Sequence, residues 1–482
     1  MQYDQPYSAS ELKGSLANNP TLLSSTTAAA ISTLLALDTA ETVSVAEWDG
    51  VSAPVSPEGT TAALVTATIE AAAGDNVALA IPAELSAAQA FIFDSEANLV
   101  VSFDTPAPVA TFAALAVEGE VAATAATDSI PELIVTSGAG DDTLIFTGDQ
   151  NVYVDGREGD DVIITAAGND TIYGGAGNNV IISGAGDDQI FLAGTSDVVD
   201  AGEGYDVVNL GGSRQDYDFT VGNNYNVNLT GTQTASITHA EFLAFDNNES
   251  VALVDSEAEA AALRLFQGVL GRDADQGGSQ LWAAQAEAGV ATSAIAQEFL
   301  NSSEYKIVSN ETFVESLYTQ LLARSDDNID ETGVQGWLNV LAAGGSRTDV
   351  TAAIATSQEA ISLDQSNGAY INGLYQSAFG RDAEDTGLNG WVSQLVNGTS
   401  RAEVANSILT SAEAGQKANS DFIDSLYTNA LGRDANQDAA GKAGWIDYIA
   451  QGNSLADVAV GIVGSAEAAD VIDNVIVIHG QV

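Results

Sequence analysis

From Asp161 to Asp206 an acidic or amide residue recurs every nine residues, at Asp161, Asp170, Asn179, Asp188, Asp197 and Asp206. Two positions after each stands a branched aliphatic: Ile163, Ile172, Ile181, Ile190, Val199 and Val208. Glycines crowd the first half of each unit, as in GAGDDQIFL and GEGYDVVNL. Glycine allows positive φ and tight turning. The second half, as in DVIIT, reads as a short strand with one apolar residue directed into a narrow core. With the acid at position six, eight turns are marked, the first two at Asp142 and Asn151. FTGDQNVYV lacks most of the glycines, and Asp155 reads as a one-residue insertion.

In such turns carbonyls and carboxylates gather as hard oxygen donors, the kind calcium takes at ~2.3–2.6 Å. The unit follows G-G-x-G-x-D-x-U-x and resembles the calcium-binding RTX (repeats-in-toxin) nonapeptide. The resemblance implies a parallel β-roll with two nonapeptides per coil, so that loops 18 residues apart stack and share an ion. It also implies the ligand turns. Their side chains are Asp142, Asp161, Asp170, Asn179, Asp188, Asp197 and Asp206; their glycines are Gly138, Gly140, Gly159, Gly168, Gly175, Gly177, Gly184, Gly186, Gly202 and Gly204. Asp170 with Asp188, Asp188 with Asp206, and Asp142 with Asp161 across the insertion offer two carboxylates. Asn151 with Asp170, Asp161 with Asn179, and Asn179 with Asp197 offer one and should bind more weakly. Thr195 stands where a position-four glycine belongs. The competing reading is a turn array that binds nothing, but stacked aspartates without cations repel strongly.

The 482 residues suit about three domains at ~150 residues each. With 67 Asp+Glu against 13 Lys+Arg, the net charge of -54 opposes compaction unless cations neutralise it. It also argues against nucleic acid, whose phosphates need Lys and Arg. A hydrophobic share of 45% separates the chain from disordered acidic tails. The absence of cysteine removes disulfides and thiol chemistry, and no HExxH supplies zinc ligands. No apolar run of ~18 residues would span a bilayer. No secretory leader is visible at the start. The RTX resemblance instead implies an extracellular protein exported by type I secretion machinery from an uncleaved C-terminal signal.

The expected fold class is multidomain α+β: an N-terminal helical plus all-β module, a central parallel β-roll and C-terminal all-α tandem repeats. Residues 1–58 read as a helical segment with Ser25-Thr26-Thr27 as N-cap. Residues 59–134 carry the short apolar runs AALVTATIEAA, NVALAIPA, AFIFDS, NLVVSF and VATFAAL, expected as a small β-sandwich. The roll spans 135–210. Residues 211–256, with EFLAFDNNESVAL, resemble the capping segment of RTX rolls. His239 reads as a surface or satisfied core residue.

Four units then share one phrase, at about 257–308, 309–364, 365–416 and 417–468, before a strand-like tail over 469–482. Trp282, Trp337, Trp391 and Trp445 are spaced 55, 54 and 54 apart. Arg272, Arg324, Arg381 and Arg433 each follow an aromatic by six residues, and Glu304, Glu359, Glu413 and Glu467 close the units. Helical spacing as in Phe313, Leu317 and Leu321 predicts about three helices per unit. The units resemble a helical repeat of unknown function found beside RTX repeats in secreted bacterial proteins, itself distantly similar to phycobilisome linkers. The tryptophans read as core residues, or else as sugar platforms. The arginines read as internal partners of the closing glutamates, or as sites for anions. The acidic linkers after each arginine read as helix caps, or as partial EF-hand-like calcium loops.

No catalytic set is visible. The expected function is a calcium-stabilised, non-enzymatic structural protein of the bacterial surface. It would bind several calcium ions and self-assemble as an S-layer or matrix. Surface polysaccharide is a further expected partner, by resemblance to RTX-containing S-layer proteins. The alternatives are a calcium-dependent adhesin or glycan-binding protein, and a polysaccharide-acting enzyme with paired carboxylates in the 60–134 module.

Overall fold

The computed structural model describes residues 7–57, 60–104, 131–222, 225–324, 328–363 and 366–478; the run VATFAAL and His479 lie outside them. It comprises two units. One holds Met1–Glu259, Asp273–Ala284 and Asn474–Val482; the other holds Ala260–Arg272 and Gln285–Asp473.

In the first unit each nonapeptide contributes one strand, sent alternately to two sheets. One sheet aligns Ile163 with Ile181 and Ile181 with Val199. The other aligns Ile172 with Ile190 and Ile190 with Val208. Neighbouring strands are parallel and 18 residues apart, the expected two-nonapeptide coil. All six side chains are at most 1% exposed. Burying each contributes roughly 1.5–3 kcal/mol, and together they form the roll's central column.

The sandwich expected over 59–134 is instead a continuation of the roll. Leu64–Thr68 and Ala90–Asp94 join the sheet of Val152–Asp155, while Asn76–Ala80 and Asn98–Asp104 join that of Thr143–Thr147. All pair in parallel. Leu64 aligns with Ala90, 26 residues on, and Asn76 with Asn98, 22 on. Coils of unequal length, without regular glycines, leave no period to read.

Helices Ala9–Ala17 and Ser25–Leu34 cover the outer face of the eleven-stranded sheet, packing Leu12, Leu16 and Ile31 with Leu64, Ile92, Ile134 and Tyr153. The second helix is capped by Ser24, whose Oγ accepts the Thr27 N–H at 3.0 Å, rather than by 25–27. Thr27 donates its hydroxyl to Asp155 at 2.5 Å. Asp155 is thus a buried strand residue that fastens a helix, not a looped insertion.

The cap ends both sheets. Tyr217–Val221, Asn226–Gly231 and Thr234–Thr238 form an antiparallel edge on one. Phe242–Ala244 and Ser250–Val254 extend the other, and the C-terminal strand Val475–Val477 completes it in parallel. His239 is exposed, with Nδ1 2.7 Å from Asp200.

The second unit is helical, and no helix among the described residues is long and apolar enough to cross a membrane. The repeats pair in a nested order. Thr292–Asn301 of the first packs on Leu455–Val463 of the fourth, and Arg347–Ala355 of the second on Arg401–Leu409 of the third. Every repeat arginine reaches its closing glutamate: Arg272–Glu304 at 2.5 Å, Arg324–Glu359 at 2.8 Å, Arg381–Glu413 at 2.5 Å, and Arg433–Glu467. Each guanidinium also lies 4.9–5.5 Å from the ring six residues earlier. Trp337 and Trp391 are half-buried against the core of the unit, and Trp391 Nε1 donates to Tyr375 Oη at 3.1 Å. Linker acids cap the following helix in the first and fourth repeats, whereas Asp330 and Glu384 make no such bond. Asp438 Oδ1 accepts the Gly441 N–H at 2.9 Å. In the first unit Asp275 does the same for Gly278 at 2.9 Å, and Asp273 pairs with Arg214 at 2.8 Å.

Candidate metal centre

Position six lies two residues before the inward aliphatic, so alternation along the strand turns its side chain inward too. Asp142, Asp161, Asp170, Asn179, Asp188, Asp197 and Asp206 are at most 2% exposed. Their Oδ1 atoms form a ladder in which each accepts the backbone N–H of the position-six residue one coil back. Asp161 accepts from Asp142 at 2.8 Å, Asn179 from Asp161 at 3.0 Å and Asp188 from Asp170 at 2.8 Å. Asp197 accepts from Asn179 at 2.8 Å and Asp206 from Asp188 at 2.9 Å. At the N-terminal end Asp142 accepts from Leu99 at 2.6 Å.

The other oxygen is different. Oδ2 of Asp161, Asp170, Asp188, Asp197 and Asp206 is buried and makes no hydrogen bond. Burying an unpartnered carboxylate oxygen costs several kcal/mol. Five of them, aimed at turns rich in backbone carbonyls, are the hard, partly charged donor set calcium takes. Among the described residues no three His, Asp or Glu side chains converge. Backbone carbonyls would therefore supply the remaining ligands. Burial pushes Asp161 and Asp170 up to about 8, Asp188 to about 6 and Asp206 to about 9, with neighbouring carboxylates adding to the rise. Burial also raises Asp142 and Asp197. A divalent cation would favour the charged form of all of them.

The turn glycines divide. Gly159, Gly168, Gly175, Gly177, Gly184, Gly186, Gly202 and Gly204 adopt positive φ; Gly138 and Gly140 do not. At Gly202, φ is 102° and a Cβ would lie 1.8 Å from the Gly184 carbonyl oxygen. At Gly140 close approach alone decides, with the Ala97 carbonyl 2.5 Å from such a Cβ.

Asn151 does not occupy position six. Val152 donates the N–H that Asp170 Oδ1 accepts at 2.9 Å, while Asn151 Oδ1 accepts from Asn169 at 2.7 Å. The extra residue therefore lies between Asp142 and Asn151, because aliphatic packing rather than acid spacing sets the register. Asn151 belongs to a second ladder, made by position five. Asp141 accepts the N–H of Asp160 at 2.9 Å, Asp160 that of Asn178 at 2.7 Å, Asn169 that of Asp187 at 3.0 Å, and Asp187 that of Tyr205 at 3.0 Å. The doubled acid or amide in GDD, GND and GNN was its sequence signal.

Residues 155–190 and 173–208 match the family model described as the RTX calcium-binding nonapeptide repeat. This part of the chain thus carries RTX calcium-binding nonapeptide repeats, which are typical of secreted proteins. The helical part, over 259–307, 296–364, 360–418 and 405–471, matches four times a model described as a domain of unknown function (DUF4214). No curated protein matches the chain.

Proposed function

We propose that this protein is a secreted structural protein of the bacterial surface, folded by calcium and assembled from its own copies as an S-layer or extracellular matrix. The row of unpartnered carboxylate oxygens carries this reading, because it ties the fold to a cation. In a cell low in calcium, the uncompensated buried acids weaken the roll, which favours the unfolding that export by type I machinery requires. Outside, sites of ~0.1–1 mM affinity fill and the roll closes.

Self-association is supported by the outer face of the nine-stranded sheet. Val100, Val180, Ile182 and Val198 are 37–50% exposed there, beside half-buried Ile145, Val162 and Ile164. In a chain of net charge -54, Asp200 is the one acid among the outward residues of the strands from Val162–Ile164 to Ser196–Asp200. Nine strands ~4.8 Å apart and about five residues long present roughly 600 Å². Two copies face to face would bury ~1,200 Å², the lower bound of stable interfaces. Electron microscopy of purified protein with calcium and with EGTA tests the assembly: lattices or filaments appear only with calcium. Dispersed particles in both conditions, together with binding on a glycan array, would favour an adhesin. Release of reducing sugar from polysaccharide would favour an enzyme.

A further inference from the structure

The position-six ladder does not stop at the last nonapeptide. Asp206 donates its backbone N–H to Oε2 of Glu241 at 2.7 Å. That is the place a position-six carboxylate one coil further on would take. The backbone agrees: Glu241 and Phe242 donate to the Asp206 carbonyl at 3.2 and 3.1 Å. Val207 aligns with Gln189 on one side and with Phe242 on the other. Thirty-five residues separate Asp206 from Glu241 in sequence, and Glu241 lies outside the matched repeat. On this side of the roll the acids run Asp170, Asp188, Asp206, Glu241 without an amide between them. On the other side Asp197 aligns with Ala235, and the acids end.

Asp206 is 0% exposed, and its Oδ2 is unpartnered. We propose that Asp206 and Glu241 hold a further calcium ion at the C-terminal end of the roll, in a site the repeat alone does not encode. The proposal rests on the calcium reading of the roll and extends it by one coil. Its consequence is structural. Glu241 is fixed by the cap, its carbonyl accepting the Leu253 N–H at 2.8 Å from the strand that also pairs with the C-terminal strand. In the adjoining turn, Asp187 accepts from Tyr205 at 3.0 Å and from Gln280 Nε2 at 3.1 Å. An ion there couples the last coil to the cap.

The test is calcium binding by the full chain, followed by isothermal titration and by hydrogen exchange. Glu241→Gln keeps an acceptor for the Asp206 N–H but removes the charge. It should bind one ion fewer at ~1 mM free calcium. Calcium should no longer protect the Phe242–Ala244 strand, while Thr171–Gly175 keeps its protection. Glu203→Gln, on an exposed acid of the same turn, should change neither. Unchanged stoichiometry and protection in Glu241→Gln overturn the site. If that variant loses its cap, Glu241→Asp replaces it, keeping charge and shortening reach; it must weaken one ion about tenfold, and an unchanged isotherm overturns the site. Wild-type protein that takes up no calcium would refute the roll's calcium reading and this site together. Normal uptake with no effect at Glu241 refutes this site alone.

Discussion

Asn179→Asp separates the two halves of the calcium argument. Asn179 is 1% exposed; its Oδ1 accepts the Asp161 N–H at 3.0 Å, and its Nδ2 donates to the Gly175 carbonyl at 3.3 Å. The substitution keeps the ladder bond but sets a carboxylate oxygen against that carbonyl. If burial lifts the new acid as it lifts Asp161, from 3.8 to about 8, the group is protonated at pH 7 without calcium. The protonation costs about 4 kcal/mol relative to the unfolded chain. At ~2 °C per kcal/mol for a unit of this size, the ion-free roll should melt about 8 °C lower. With calcium the sign reverses. Asn179 lies between Asp161 and Asp197 on the same side, so two ions gain a second carboxylate. Where the one-carboxylate sites of the wild type stay largely empty and those of the variant fill, each ion at a hundredfold excess over its Kd contributes ~2.7 kcal/mol. Calorimetry in calcium-free buffer and at ~10 mM calcium should therefore show a lower melting point first and an equal or higher one second. Identical melting in calcium-free buffer, or a calcium-loaded variant still below wild type, would refute the shared-ion geometry.

Other outcomes follow from the same structure. Asp161, Asp170 and Asp206 have folded values raised to between about 8 and 9, so ion-free stability is fully present below ~4 and is lost as pH climbs through 8–9. Calcium needs the carboxylates charged, so its stabilising shift should grow over the same range; melting curves with slopes of equal sign in both buffers would count against this. Arg381→Ala removes the half-exposed Glu413 pair and the contact 5.5 Å above Tyr375, and should lower the midpoint of the helical unit's urea melt while leaving the roll's transition unchanged. Gly202→Ala meets the Gly184 carbonyl at positive φ and should prevent calcium-induced folding, read by circular dichroism. Gly14→Ala, with open space in the helix Ala9–Ala17, should instead raise stability by about 0.5–1 kcal/mol.

Legibility in the sequence tracked how local the determinant was. The nine-residue period, the inward column from Ile163 to Val208 and the buried acids were readable because each is set within one turn and strand. The four arginine–glutamate pairs were readable because repetition of the unit repeats the contact. Strands 64–104 showed as strands but not as roll, since parallel pairing over 22 and 26 residues leaves no local mark. Asn151 carries the nine-residue acid spacing, but aliphatic packing governs the register there and puts Val152 in the ladder. Glu241 was hidden by its offset of 35 residues from Asp206, although its phrase EFLAF marks the cap itself.

The two ladders run in opposite senses. Position six reaches back to the N–H of the preceding coil, as Asp188 does to Asp170, and position five reaches forward, as Asp160 does to Asn178. Successive coils on each side are thus joined by side chain–backbone bonds in both directions, and none of these bonds uses Oδ2. Register therefore comes from the aliphatic column and the ladders, whereas the cation answers only for the oxygens left over. This division explains why an amide at Asn179 is tolerated: it completes the ladder and forgoes a charge. Val152 does the reverse of neither, since it keeps the N–H that Asp170 accepts but offers no oxygen of its own. Calcium should accordingly grade from coil to coil, strongest along Asp170, Asp188, Asp206 and Glu241, with the fold's topology the same throughout.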